Sequence, residues 1–276
     1  MSYPINYPTP QGANVQIFRG GIQNLNAHIM NRTWVKPQGA SFVWFTLIGG
    51  GGGGGGGYLD SGGPTYYPGG GGASGNVTNF MCPAFLLPDE LQVRIGNGGD
   101  GSANATDVQA ASGNDGGVTE IRYQQKDASG YTLLQASGGG GGVGSSGIGA
   151  SGGTASSADG GGPMTAAGFY NATGGQNGAN GGTVITTNGL TFVMGGSGEY
   201  DIANVITGYY GYTATEKSGY SQLSPIPLAI PRATDTTVVK GGANSFGCGG
   251  NGGGNNSGIY SNGGRGGDGL AIIVTW

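Results

Sequence analysis

Nine consecutive glycines, Gly49–Gly57, follow directly on the apolar run FVWFTLI. Such a segment has no side chain to bury, and each of its residues loses more conformational freedom on ordering than any other type. Fixing one backbone residue costs on the order of 1–2 kcal/mol. A chain that folds around this tract must offset that cost with its peptide N–H and C=O groups, because it has nothing else to offer. Further glycine tracts lie at 69–75, 96–101, 138–153, 160–162, 174–182 and 241–269, and 68 of the 276 residues are Gly.

Composition at this level points first to collagen, to disorder or to flexible linkers. Collagen is excluded because no chain-long period-three Gly with abundant Pro is present. Disorder and linkers fit poorly with the placement of the tracts, each of which leaves one strand-like run and returns to another. An extended glycine segment in polyproline-II geometry turns once every three residues and points its peptide groups outward in three directions. Several such segments side by side bond to one another, and only Gly permits so close an approach on every side. Leaving the buried groups unpaired would cost on the order of 1–3 kcal/mol each, so pairing is close to obligatory. The expectation is an all-β chain: a small β-sandwich with polyglycine-II segments packed between and beyond its strands.

Strand signals fall at Ser41–Ile48, Leu91–Ile95, Val118–Gln124, Tyr131–Ala136 and Leu270–Trp276. Residues 183–194, TVITTNGLTFVM, carry Asn188-Gly189 between two β-rich runs, the pair preferred in type I′ hairpins. Trp34, Trp44 and Trp276 lie in or beside strand signals and are expected in the sandwich core or at its rim. The chain divides into an N-terminal segment, 1–33, and a glycine-rich β domain, 34–276, interrupted by a nearly Gly-free insertion at about 199–240. In the first segment Ile22, Leu25, Ile29 and Met30 fall at i, i+3, i+7 and i+8, the spacing of a short helical stripe. Those four residues are the candidates for attachment to a partner, and packing on the body is the alternative.

The boundary motifs resemble a known family. WVKPQGASFVWFTLIGGGGGGG, LQVRIGNGGDG and GGRGGDGLAIIVTW are together similar to the glycine-rich domain that recurs in bacteriophage virion proteins, notably tail fibres. They are also similar in style to the glycine-rich adhesins at the tips of long tail fibres. The resemblance spans about residues 34–276 and implies a virion surface protein whose loops meet a host receptor.

Little in the sequence suggests catalysis. Windows matching GxGxxG abound, but none opens a helix after a strand with an acidic residue about 20 positions on. No Gly-Lys pair exists for a phosphate-binding loop. Gly149–Gly153 fits GxSxG inside a Gly/Ser tract, and the one histidine, His28, stands far from it in sequence. No enzyme activity, cofactor or metal is expected. A single copy of the calcium nonapeptide, ending in Asp268-Gly269-Leu270, lacks the stacked repeats that would complete a site. Asp268 is read instead as turning the chain into the last strand, while Asp100, Asp115 and Asp159 leave room for a lone cation. Cys82 and Cys248 have no metal or redox spacing and are taken as small buried hydrophobes.

A net charge of −4 with scattered Lys and Arg argues against nucleic acid as a partner. No apolar run approaches the roughly 20 residues of a membrane helix, and the start, MSYPINYPTPQG, shows no secretory leader. Tyr is abundant in Gly/Ser/Asn-rich surroundings, the composition of adaptable binding loops. Tyr58, Tyr66, Tyr67, Tyr170, Tyr209, Tyr210 and Tyr212 are the candidate receptor-binding residues. The alternative is that they cover the edges of the glycine lattice. The expected function is a virion structural protein, an exposed tail-fibre or appendage component contacting other virion proteins and a host receptor (glycan or outer-membrane protein). A capsid decoration or head-fibre protein is the second reading, and an ice-binding protein the remote one. No heptad run is present, so a homo-oligomer would form through the β body.

Overall fold

A computed structural model describes residues 12–20, 29–61, 65–123, 131–146, 150–157, 164, 168–175, 177–178, 184–185, 191–193, 246–247, 249–250, 252–256, 259–260 and 262–276. Its strands in chain order are β1 (Asn14–Arg19), β2 (Ile29–Val35), β3 (Phe42–Ile48), β4 (Tyr58–Leu59), β5 (Thr65–Tyr67), β6 (Val77–Pro83), β7 (Glu90–Gly96) and β8 (Ala105–Thr106). They continue as β9 (Thr119–Tyr123), β10 (Tyr131–Ala136), β11 (Phe169–Thr173), β12 (Val184–Ile185), β13 (Thr191–Val193), β14 (Gly252–Asn256), β15 (Ile259–Tyr260) and β16 (Leu270–Thr275). The fold is all-β, as expected.

Two antiparallel sheets form the sandwich, one in the order β1-β16-β3-β6-β11 and the other in the order β10-β9-β7-β2. Alternate side chains of each face inward: Val43, Phe45 and Leu47 of β3 and Phe80 and Cys82 of β6 meet Trp34 of β2, Leu91, Val93 and Ile95 of β7 and Ile121 of β9. The Trp34 and Phe45 rings meet edge-on at 6.0 Å. The outer face of the five-stranded sheet is apolar as well: Ile48, Val77, Leu270 and Ile272 pack together under Phe246. Burial on both faces explains why β3 reads as continuous apolar sequence without alternation.

Beyond the sandwich the strands continue as glycine segments. The tract after β3 is wholly buried and is the axis of the layer. Its N–H groups are shared with period three among three antiparallel neighbours. Gly49, Gly52 and Gly55 donate to Asn76, Ala73 and Gly70; Gly50, Gly53 and Gly56 to Gly117, Asn114 and Ala111; Gly51 and Gly54 to Gly267 and Gly264 (2.8–3.1 Å). Its carbonyls are shared in the same way among three parallel neighbours. Gly139, Gly142 and Ser145 donate to Gly50, Gly53 and Gly56; Gly99, Ser102 and Ala105 to Gly51, Gly54 and Gly57; Gly250 and Gly253 to Gly52 and Gly55 (2.7–3.1 Å).

The neighbours also bond to one another and close a ring around the axis. The segment 69–76 bonds to 137–143 on one side and to 247–253 on the other, and 110–117 bonds to 139–145 and to 97–100. The segment 263–269 completes the ring, donating to 96–102 on one side and accepting from the Gly247 N–H at the Asp268 carbonyl on the other. A second shell begins outside it, where Val143 donates to Ser151 and Gly153 to Gly71. This is the hexagonal pairing of polyglycine II, with ascending and descending segments alternating around the ring. The lattice and the sandwich meet at buried Thr119, whose hydroxyl donates to the Ile48 carbonyl (2.7 Å) and accepts from the Gly96 N–H (3.2 Å). Thr119→Val keeps the shape and removes both bonds. It is expected to destabilise the fold by about 1–3 kcal/mol, read from the urea unfolding midpoint.

Two local expectations are corrected. Ile29 and Met30 open strand β2, in register with Gly96 and Ile95, so no helical stripe runs through them. A four-residue match to period 3.6 is a weak signal beside a seven-residue ladder to β7. Ile22, Leu25 and His28 lie outside the described residues. Asn188-Gly189 lie outside the described residues, and the described parts of the flanking runs take different partners: β12 pairs with β5, and β13 with β14. The turn preference is local, whereas strand pairing follows the sheet edges within reach. The insertion at 199–240, Asp159 and Cys248 also lie outside the described residues.

Candidate functional site

Every ascending segment carries the chain away from the sandwich and delivers its next residues to the far end of the lattice. Nine glycines at about 3.1 Å each place that end about 28 Å beyond the sandwich. Strand β4 begins at the residue after Gly57, and β5 ends two residues before Gly69. The two strands pair antiparallel, with Tyr58 opposite Tyr67 and Leu59 opposite Tyr66. On the other side β4 pairs in parallel with β8, Tyr58 lying beside Ala105. A four-stranded sheet, β12-β5-β4-β8, thus caps the tip, and β13-β14-β15 form a second small sheet.

The Tyr58 and Tyr67 rings are 5.9 Å apart and tilted by 52°, each half-buried. The chain after β4 is fastened to the chain after β8 by Asp107. Its N–H donates to the Leu59 carbonyl (2.9 Å), Oδ1 accepts from the Ser61 N–H (2.8 Å), and Oδ2 accepts from the Ser61 hydroxyl. Asp107 has φ of 58°, the left-handed region that Asp tolerates better than most residues. The hydrogen bonds from Ser61 hold its carboxyl below the ordinary value. The phenol of Tyr58 is held above its ordinary value by desolvation, then by the charges of Asp60 and Asp107.

The tyrosine candidates therefore separate. Tyr58 and Tyr67 come together at the tip, and Tyr66 occupies β5 between Thr65 and Tyr67. Tyr170 does not join them: it lies in β11 opposite Phe80 and packs against the sandwich core. Tyr209, Tyr210 and Tyr212 lie outside the described residues. Asp107 and Ser61 carry no signal in the sequence, since only the lattice brings them together.

The short motifs of the glycine tracts are pieces of the lattice. Ser151 of the GxSxG window is exposed, and its carbonyl accepts a lattice bond from Val143 (3.0 Å). Asp268 does more than turn the chain: its Oδ1 accepts from the Gly98 N–H (2.9 Å) and from Arg265 (2.5 Å). Arg265 also lies 3.4 Å from Asp100, and Asp115 accepts from the Gly141 N–H (2.8 Å). Among the described residues no group of His, Cys, Asp and Glu is placed to hold a metal ion. Cys82 is buried in the core, which pushes its thiol up to about 11.

The opposite end of the molecule exposes several large apolar side chains beside charged ones such as Asp89 and Glu90. Val35, Phe42, Phe85, Leu86 and Phe169 are exposed where the sandwich strands end away from the lattice, and Phe42 stacks on Trp276 at 6.0 Å. The arrangement defines a sandwich that carries a glycine rod, with an aromatic and acidic tip at one end and exposed aromatic and aliphatic side chains at the other. A family model for the glycine-rich domain matches residues 27–276, and the chain belongs to that family. The match takes in the whole of β2. No curated protein matches the chain.

Proposed function

We propose that the chain is a non-enzymatic structural protein of a bacteriophage particle, an exposed tail-fibre or appendage component that displays recognition loops to the host. The observation that carries this reading is the attachment of the tip to the lattice axis: Tyr58 directly follows a segment whose peptide groups are bonded on every side. A loop fixed in this way is already ordered when it meets a receptor, so less entropy is lost on binding. The large apolar side chains exposed at the base support attachment to other virion proteins at that end, since their burial in a contact would be favourable. The resemblance of the boundary motifs to those of tail-fibre proteins supports this class of particle.

The test is adsorption by particles carrying Tyr58→Ala and Tyr67→Ala together. Adsorption is expected to fall at least about tenfold, the effect of losing one aromatic anchor worth more than about 1.4 kcal/mol, with the unfolding midpoint little changed. Normal adsorption by the double variant overturns the recognition role. Imaging the chain on the intact particle checks the location, and hundreds of copies on the capsid would replace the appendage with a decoration protein.

A further inference from the structure

The tip combines two features that together specify a ligand chemistry. Tyr58 and Tyr67 form a tilted, half-buried ring pair, and among the described residues the neighbour of Tyr58 on the strand at its other side is the small Ala105. Asp60 follows Tyr58 at i+2, and Asp107 stands at the corresponding place after Ala105 in the neighbouring stretch of chain, so the parallel register sets the two acidic residues side by side just beyond the ring pair. Asp107 is locked by Ser61 in its left-handed turn while remaining exposed. Both carboxylates act on the Tyr58 phenol in the direction expected of negative charge nearby. Aromatic faces attract cations through the ring quadrupole, and adjacent carboxylates add to that attraction. A neutral ligand would gain only the stacking.

From this juxtaposition we propose that the tip binds a compact ammonium group, as carried by an amino sugar or a choline-type headgroup, between the Tyr58 and Tyr67 rings and the Asp107 carboxylate. The inference rests on the recognition reading and names its ligand class. Asp60 and Asp107 supply the counter-charge, and the rings exclude water from one side of the cation.

The experiment is an NMR titration of the full chain, following the Tyr58 and Tyr67 ring signals with glucosamine, N-acetylglucosamine and choline. Glucosamine or choline is expected to shift both rings and to bind at least about tenfold more tightly than N-acetylglucosamine, with binding weakened by salt. Which of the two cations binds better assigns the source as sugar or headgroup. Equal binding of N-acetylglucosamine overturns the proposal, as does the absence of shifts with all three. Asp107→Asn, which tolerates the same turn, is expected to lose about tenfold in affinity for the cation with an unchanged unfolding midpoint. Unchanged affinity in that variant also overturns it. Failed adsorption by the tyrosine variants without ammonium binding would reject the ligand class and leave the recognition reading standing. Ammonium binding with normal adsorption would do the reverse.

Discussion

Gly53→Ala is expected to destabilise the protein by about 3 kcal/mol or more, at or above the upper end of ordinary overpacking. The added Cβ would fall on the Asp100 carbonyl and close to the Gly101 N–H, well inside van der Waals contact. Both obstacles are backbone, so no rotamer change relieves the clash. Moving the axis away would lengthen the bonds from Gly53 to Asn114 and from Gly142 to Gly53, both 2.8 Å. Each weakened bond between buried groups adds a further cost of about 1 kcal/mol. The control is Asp100→Ala in the neighbouring segment, where the side chain is 66 % exposed. It is expected to cost less than about 1 kcal/mol, because the Asp100 carboxylate is exposed, Arg265 keeps its bond to Asp268 and no lattice bond is given up. Urea unfolding of the two variants measures the difference, and comparable losses in both would show that glycine is not required at the axis.

The amides of Gly50–Gly56 are expected to exchange with deuterium as slowly as those of β3, slowed at least about 10⁴-fold relative to an open chain. Each donates to a carbonyl of a neighbouring segment at 2.8–3.1 Å, and the segment is buried throughout. Exchange then requires opening the ring of segments as a unit, which is close to global unfolding. The amides of Ser61 and Asp107 at the tip are expected to exchange faster, since their surroundings are exposed. Hydrogen exchange resolved by NMR or mass spectrometry reads both. Rapid exchange along the tract would mean a tether in place of a rod and would remove the basis for rigid display.

Part of this architecture is legible in the residues themselves. The run at 41–48 reads as a buried strand and forms β3 from Phe42 on, and Tyr131–Ala136 forms β10 with the bounds its apolar pattern suggests. The glycine tracts announce backbone pairing because nothing else in them can stabilise a fold. A finer signal becomes readable only beside the structure: Asn97, Asp100 and Ala103, and likewise Asn262, Arg265 and Asp268, recur every third residue within their tracts. That spacing marks the outward face of a polyglycine-II segment, which is where the structure places these partly or fully exposed side chains. The helical stripe and the Asn-Gly hairpin fail for a common reason. Both rest on contacts within a few residues, while the pairing of β2, β12 and β13 is decided by strands remote in sequence.

What the sequence determined alone was the material: strands of apolar residues, and side-chain-free segments that must bond through their peptide groups. Which segment became the axis, and which neighbours it took, came only from the tertiary arrangement. The peptide groups of one glycine are chemically identical to those of the next, so no local signal distinguishes Gly117 from Gly267 as an acceptor. The apolar strands supply that choice. By fixing the order and direction of β3, β6, β7, β9, β10 and β16 in the sandwich, they deliver each glycine segment to its place in the ring, and with it Tyr58, Tyr67 and Asp107 to a common tip.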